Sequence, residues 1–393
     1  MRVAFGFIGG SFWTGGLNYL ESLLSALHEH PSAGVTPVLF ASPDADPAVL
    51  SRLSRFLSEP PHVSDAWRRH GRVGIMRKLT GVALQRDVIA ERALRTMAAD
   101  VVFQHSVWYG LRFRVPTVAW IADFQHRACP GMFTAGQRLK RDIGYRLLTH
   151  SASAVMVSSN AARADCIGLF PHARQRCHAL PFVPLQDARA PVESLASLRD
   201  RYGVPQKFLF LPNQLWRHKN HLAVIAAIRI LRQSPDCPVI VACGNPEDYR
   251  DPEHPRRVIA EASAPGISDH FRFLGMIPRQ DLSGFMRLSA ATVNPSLFEG
   301  WSTTVEESKS LGVPLLLSDI PVHHEQAGQG AQYFDPNSPE SIAATLREAW
   351  QRLESGPRPD AEAAALANYP RARAEFAQRF AAIASSAMVS FRG

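Results

Sequence analysis

The chain has 393 residues, 46% of them hydrophobic and 20% charged, and a formal net charge of +8. That length exceeds one ordinary core and predicts two domains of somewhat under ~200 residues each. The composition excludes a disordered polyelectrolyte and no apolar run approaches ~18 residues, while five cysteines without a CxxC or a Cys/His cluster argue against a disulfide framework or a zinc site and fit a reducing cytosol.

The N-terminus, MRVAFGFIGGSFW, lacks a distinct apolar segment followed by a small-residue cleavage site and reads as a first strand rather than a signal peptide. Near-continuous apolar runs follow at 2–8, 36–41, 100–105, 116–121 and 153–159, with helical stretches such as 17–30 between them. Runs of that kind suit parallel strands covered on both faces, and the alternation predicts a doubly wound α/β domain. The excess of positive charge lies here: residues 1–185 carry 21 Lys and Arg against 12 Asp and Glu. It concentrates in WRRHGRVGIMRK (67–78) and QRLKRDIGYR (137–146), which read as solvated helix faces or as a surface for anionic lipid or an anionic acceptor. No aromatic-interleaved basic motif supports nucleic acid.

After a Pro-rich, polar linker at 181–195 the pattern restarts, with runs at 207–212, 238–243, 270–275, 291–296, 313–318 and 332–335. This predicts a second Rossmann-like domain. A last helix spans 369–388, with Phe376, Phe380 and Ile383 at helical spacing. Ligands of such sheets sit at the C-terminal strand ends, so loops that directly follow a strand are the candidate sites.

Four loops qualify. In 9–20, Gly15 and Gly16 stand before a helix, where small residues let backbone N–H groups approach an anion, or merely supply a turn. In 122–133, Asp123 and His126 follow a strand, either to meet a sugar hydroxyl or a leaving phosphate, or to cap a turn before Pro130. In 213–222, Arg217, His218 and Lys219 precede a helix beginning near Asn220; cations there oppose the helix dipole, which points to a diphosphate site. In FEGWSTTVEESKSLG (298–312), Glu299 precedes Gly300 and a helix predicted over 305–311. Thr303 with Glu306, or Thr304 with Glu307, satisfies a capping box, whereas Ser302 with Val305 does not. Capping accounts for Glu307 but not for Glu299. Asp44 and Asp46, in ASPDADPAVL, could hold a cation, but Asp46 before Pro47 reads better as a helix cap.

The run NPSLFEGWSTTVEESKSLGVPLLLSDI, with FLGMIPRQDLSGFM before it and YFDPNSPESIA after it, resembles the retaining glycosyltransferases of family four (glycosyltransferases group 1), whose hallmark is two Glu separated by seven residues. The match runs from about 207 to 347; the N-terminal half matches more loosely, through Gly15, Gly16 and the loop 122–133. The resemblance implies a GT-B fold, two Rossmann-like doubly wound domains facing a central cleft. It implies an acceptor-binding domain over 1–185, a nucleotide-sugar domain over 195–368, and a terminal segment, 369–393, that crosses back to the first. Glu299 would face the donor sugar and Glu307 would hold the nucleotide ribose, with Phe298, Gly300, Trp301, Ser302, Thr303 and Thr304 around the donor. Lys219 matches the family's phosphate-binding Lys, while Gln214 stands where an Arg is usual, leaving Arg217 or His218 to supply the second charge. The family's strand-end His is replaced by Ala122, beside Asp123, and His126 is read as its substitute.

The implied reaction moves a hexose or deoxyhexose from a nucleoside diphosphate sugar to a hydroxyl of a glycan or lipid-linked acceptor, with retention, without metal or other cofactor, in cell-surface polysaccharide synthesis. The implied place is the cytoplasm, peripheral on the inner face of the membrane, with an anionic bilayer as partner through the N-terminal domain. The resemblance suggests mannose from its guanosine diphosphate form. Two readings compete: a nucleotide-sugar epimerase on the same scaffold, and a non-catalytic two-lobed sugar-binding protein.

Overall fold

The structure is a computed structural model that describes residues 1–8, 14–185 and 192–392. The chain divides into two compact units: residues 1–127, 134–185 and 371–393 form one, residues 128–133 and 186–370 the other. Part of the linker read at 181–195, residues 186–191, lies outside the described residues, as do residues 9–13 of the first strand-end loop.

Among its described residues the first unit carries seven strands: β1 (Arg2–Gly6), β2 (Thr36–Ala41), β3 (His62–Val63), β4 (Val101–His105), β5 (Thr117–Ile121), β6 (Ala154–Val157) and β7 (Cys177–Ala179). They lie in the order β3-β2-β1-β4-β5-β6-β7, every pair parallel. The inner strands β5 and β6 are buried at every residue, which is why their sequences are apolar without alternation. The edge strands β3 and β7 escape the sequence reading because both are short and carry His beside apolar residues.

The second unit carries β8 (Leu209–Leu211), β9 (Ile240–Ala242), β10 (Phe271–Phe273), β11 (Ala291–Asn294), β12 (Leu315–Ser318) and β13 (Ala331–Phe334). Their order is β10-β9-β8-β11-β12-β13, again all parallel. The chain leaves β8 toward one edge and returns at β11 to build toward the other. The switch point therefore lies between β8 and β11; the sequence-selected stretch 213–222 follows the first, and the sequence-selected stretch 298–312 begins in the loop after the second.

The terminal helix is longer than its apolar spacing predicts. It runs Pro359–Arg392 with Pro370 inside, rather than 369–388. Proline removes one backbone donor and crowds the preceding turn, so the sequence reading starts the helix there. Tertiary anchors on each side of Pro370 hold it continuous. In the second unit Arg287 Nε donates to Glu362 at 3.1 Å. In the first, the fully buried Arg373 donates to Ser25 Oγ at 2.7 Å, to the Ser22 carbonyl at 2.9 Å and to Glu29 Oε1 at 3.0 Å.

Candidate active site

The loop after β8 is shaped by backbone contacts. Leu215 drops into the core, fully buried, and its N–H donates to the Asn245 carbonyl at 3.0 Å. Gly244, at φ +152, passes so close to Asn213 and Gln214 that a Cβ would overlap the Asn213 carbonyl; only glycine satisfies both demands. Arg217–Lys219 form a 3-10 turn, and Asn220 takes the left-handed conformation (φ 59°) while its Nδ2 donates to the Pro336 carbonyl at 2.8 Å. Asparagine tolerates that conformation better than most residues. The helix His221–Leu231 starts directly after it, one residue from the predicted start.

This turn presents Lys219 to the loop after β11. Lys219 Nζ donates to Glu299 Oε1 at 2.6 Å, and the Leu297 N–H donates to the His218 carbonyl at 2.8 Å, tying the two loops together. Burial alone would push the Glu299 carboxyl up; the Lys219 ammonium, with help from the Ser296 hydroxyl at 2.6 Å, instead holds it down at about 2. The carboxylate is thus ionised at any physiological pH. A lysine ammonium has three donors, and Glu299 takes one.

Behind the pair lies a buried polar network. Asn294, the last residue of β11, accepts from Asn213 Nδ2 at 3.2 Å and donates from its own Nδ2 to Ser302 Oγ at 2.7 Å. Ser296 Oγ lies 2.7 Å from Asn294 Oδ1 and 2.6 Å from Glu299 Oε1, so its one proton serves either acceptor. Thr304 Oγ1 donates to Asn213 Oδ1 at 3.2 Å. The loops at the switch point are therefore fixed by side chains from the ends of β8 and β11, and Glu299 is positioned from behind.

The helix that follows is Thr303–Ser310, and its cap corrects the sequence reading. Ser302, not Thr303 or Thr304, is the N-cap: its Oγ accepts from the Val305 N–H at 3.4 Å. A capping box would need an acid or amide at 305. Gln326, from the helix Pro321–Ala327, does that work across space: its Oε1 accepts from the Ser302 N–H at 3.0 Å and its Nε2 donates to the Ser302 carbonyl at 3.0 Å. Glu306 consequently turns to Lys309 (3.0 Å) and Gln326 (3.1 Å), and its carboxyl is pushed up by burial. Glu307, one residue on and half-buried, has Arg279 Nη2 3.8 Å from its Oε1. Phe298, Gly300, Trp301 and Thr303 are half-buried along the same loop and first turn.

Of the two residues left to supply a second cation beside Lys219, His218 does not. It is buried, its Nδ1 has no hydrogen-bond partner, and burial, reinforced by the neighbouring Lys219 charge, holds it at about 3. It is neutral at neutral pH. Arg217 is exposed, with its backbone N–H 3.3 Å from Asp248 Oδ2 and its Nη1 3.5 Å from the Gly131 carbonyl. Gln214 is half-buried, and its carbonyl accepts from the Trp216 N–H at 2.7 Å.

In the first unit, Gly15 and Gly16 lie inside the first turn of the helix Thr14–Glu29 rather than before it. Their N–H groups are among those a helix start leaves without intrahelical partners. Asp123 Oδ1 accepts from the Gln125 N–H at 2.9 Å, capping the short helix Gln125–Ala128. His126 is 1% exposed, with Nε2 2.9 Å from Asp142 Oδ1. Burial lowers its pKa against the opposing pull of Asp142. Asp46 caps the helix Pro47–Ser54 through the Ala48 N–H at 2.9 Å, as its position before Pro47 predicts.

Arg279, Gln326, Asn294 and Asn213 are the site residues that the sequence reading missed. Arg279 and Gln326 come from helices remote in the chain and carry no local signal. Asn213 and Asn294 do carry one: each is a polar residue at the end of an apolar strand, on either side of the switch point.

Comparison with known proteins bears on this region. Residues 199–360 match the family described as Glycosyl transferases group 1. The O-antigen chain mannosyltransferase B of Escherichia coli is 25% identical over 259 residues, which covers 63% of this chain and 66% of that protein, just under two thirds of its length. Among solved structures, Anabaena Alr3699/HepE in complex with UDP and glucose superposes with a TM-score of 0.66 at 15% identity, over 100% of this chain and 97% of that one. A protein described as a putative UDP-N-acetylglucosamine 2-epimerase from Listeria monocytogenes superposes with a TM-score of 0.55 at 14% identity, over 96% and 94%. Both likenesses speak to the fold. The second unit therefore carries a Glycosyl transferases group 1 domain, and the chain has the GT-B fold of two Rossmann-like units.

Proposed function

We propose that this protein is a retaining glycosyltransferase that moves a hexose or deoxyhexose from a nucleoside diphosphate sugar to a hydroxyl of a glycan or lipid-linked acceptor, in the synthesis of a cell-surface polysaccharide. The observation that carries the reading is the Lys219–Glu299 pair, 2.6 Å apart and joined across the switch point of a group 1 domain. Glycosyl transfer needs a cation where charge grows on the leaving diphosphate and an acceptor of hydroxyl hydrogens beside the sugar. Lys219 has donors left for phosphate oxygens. Glu299 is ionised and uses Oε1 for its protein contacts, leaving Oε2 for the sugar. Glu307 is the candidate for the ribose hydroxyls, with Arg279 beside it.

In this mechanism the transition state is oxocarbenium-like. Lys219, Arg217 and the N–H groups at the helix start Thr303–Thr304 stabilise the departing diphosphate, with Gln214 and His218 completing the donor loop and no metal taking part. Such preplaced donors act strongly because they need no reorganisation as charge develops. His126 and Asp123 are the first unit's candidates for contact with the sugar or acceptor. The burial of His126 against Asp142 supports an indirect role, through the short helix that Asp123 caps.

Mannose is the proposed sugar, supported by the mannosyltransferase named among the relatives. The reaction is placed at the inner face of the cytoplasmic membrane. A thermal-shift panel of GDP, UDP, GDP-mannose and UDP-glucose tests the donor. A ligand at about a hundred times its dissociation constant adds ~2.7 kcal/mol of apparent stability. One diphosphate is expected to raise the melting temperature in the wild type and not in Lys219→Ala; no shift with any of them would sink the reading. The epimerase alternative is separated by incubating the donor without acceptor, since an epimerase releases an isomerised sugar and a transferase does not. Proton NMR of the product's anomeric centre checks retention.

A further inference from the structure

The outer edge of β7, the last strand of the first sheet, is closed by cations. Its partner β6 uses the backbone on either side: the Val155 N–H donates to the Arg176 carbonyl at 2.8 Å, and the Leu180 N–H to the Val157 carbonyl at 2.8 Å. The N–H and C=O groups of Cys177 and Ala179 therefore face outward. Arginines take both carbonyls. Arg163 Nε, from the helix Asn160–Leu169, donates to the Cys177 carbonyl at 2.7 Å, and Arg379 Nη2, from the terminal helix, donates to the Ala179 carbonyl at 2.8 Å. The two helices reach this edge from opposite faces of the sheet. Cys166 of the first packs with Val155 and Val157, whereas Phe380 of the second packs on Phe5 and Phe103.

A cavity of about 640 Å³ lies along this edge, and its polar groups are one-sided. Arg163, Arg174 and Arg379 line it with His178, and no carboxylate does. None of the three arginines has a carboxylate partner among the described residues. Arg163 Nη2 lies 3.5 Å from the Arg174 carbonyl, which brings those two residues together. Arg163 also stands in the first turn of its helix, where a cation opposes the helix dipole and an anion is favoured. With its outward carbonyls occupied, β7 presents only N–H donors here. Of the five N–H groups on each guanidinium, these contacts use two on Arg163 and one on Arg379. Ala382 and Ile383 add an apolar wall.

We infer that the edge of β7 is a binding site for a phosphomonoester, a small metabolite with a terminal phosphate and an uncharged body. The anion follows from the donors. Cys177 and Ala179 stand two positions apart, which sets their carbonyls, and the arginines held on them, roughly 7 Å apart. A phosphate that accepts charge-assisted bonds of ~2.8 Å from both sides spans such a gap. A peptide adding as a further strand would need the two carbonyls that the arginines occupy. The body follows from the room: the cavity exceeds a bare phosphate, lies within the range of ~300–1,000 Å³ usual for small-ligand pockets, and has an apolar wall. Every residue of the site belongs to the first unit, so it shares none with the candidate donor site of the second. The inference does not depend on the glycosyl-transfer reading.

The experiment is isothermal titration calorimetry of the full chain with glucose 1-phosphate, AMP and inorganic phosphate, in the wild type and in Lys219→Ala. At least one of the two esters is expected to bind both proteins alike, because the donor loop takes no part. Arg163→Gln with Arg379→Gln should abolish that binding, and Arg174→Gln should weaken it about tenfold, the loss of one charge-assisted contact. The Arg174 side chain is exposed and makes no hydrogen bond among the described residues, so its variant should melt as the wild type does. It decides the question if the double variant, which uncaps β7, melts early. The tighter of the two esters identifies the body. No heat from either ester, binding that Lys219→Ala removes, or full binding by either arginine variant overturns the inference. So does inorganic phosphate that binds as tightly as the esters, since the rest of the cavity would then contribute nothing. A failed diphosphate panel beside retained ester binding would remove the glycosyl-transfer reading and leave this one standing.

Discussion

Follow either sheet outward from its first strand and the order is the same: β3-β2-β1-β4-β5-β6 in one unit, with β7 added at the edge, and β10-β9-β8-β11-β12-β13 in the other. At the corresponding strand ends the chemistry differs. In the second unit, β11 ends on Asn294, the hub of a network that holds an ionised glutamate against a lysine. In the first, β4 ends on His105, whose ring lies tilted against Trp120 with centroids 5.3 Å apart and which burial holds at about 4. One unit has invested its polar residues in a rigid charged site at the switch point, while the other gathers arginines at the edge of its sheet. A shared topology places sites without saying what they hold.

Several changes would break or sharpen this contrast. The largest effect is expected at Glu299. Removing one partner of a buried ion pair costs ~3–5 kcal/mol, so Glu299→Ala should lower the urea midpoint strongly, with hydrogen exchange rising in β8 to β13 and staying unchanged in β1 to β7. Loss spread evenly over both sheets would show that the pair does not belong to the second unit's own stability. Next comes Lys219→Ala. Loss of one preplaced donor is worth ~2.7–4 kcal/mol at the transition state, so turnover should fall by about a hundredfold or more. Burial then raises the pKa of the orphaned Glu299, which neutralises it and limits the damage to the fold.

Acid acts on both units through different groups. His218 and His221 titrate at about 3 in the fold, below the unfolded value of ~6.5. The unfolded chain therefore binds more protons below pH ~6.5, and stability is lost as pH falls from there toward 3, by about 1.4 kcal/mol per pH unit for each histidine once protonated only in the unfolded state. His105 does the same in the first unit down to about 4. Glu299, held down at about 2, contributes stability above ~4.5 that disappears between ~4.5 and about 2. Urea midpoints taken from pH 7 downward should fall first near 6.5, and hydrogen exchange below 4.5 should show a further loss in the second unit that Glu299→Gln removes. A flat profile between 7 and 5 would contradict the neutral buried histidines. The smallest effect is expected at Gln326→Ala, which removes the amide standing in for a capping box: about 1 kcal/mol of stability, read as a small drop in melting temperature with weakened diphosphate binding if Ser302 positions the loop.

Among the described residues, eleven of the thirteen strands were legible because strands buried on both faces must be apolar throughout, and such runs stand out between helices. β3 and β7 were not, since an edge strand as short as His62–Val63 has no pattern to read. Lys219 and Glu299 were selected on local physical grounds, a cation ahead of a helix and a carboxylate that capping leaves unexplained. Their partnership was invisible, because it joins loops 80 positions apart. The cap was misread for a related reason: the rule looks three residues ahead, and Gln326 reaches Ser302 from 24 residues away.

By itself, then, the order of apolar and polar residues determined two parallel α/β units and the loops that carry their strand-end chemistry, since these follow from burial and backbone periodicity along the chain. Only the tertiary structure decided that Glu299 is ionised, that His218 is neutral, that Pro370 lies within a helix and that Arg163 and Arg379 meet at the edge of β7. Each of those depends on which distant groups surround a side chain, and local sequence does not specify that environment.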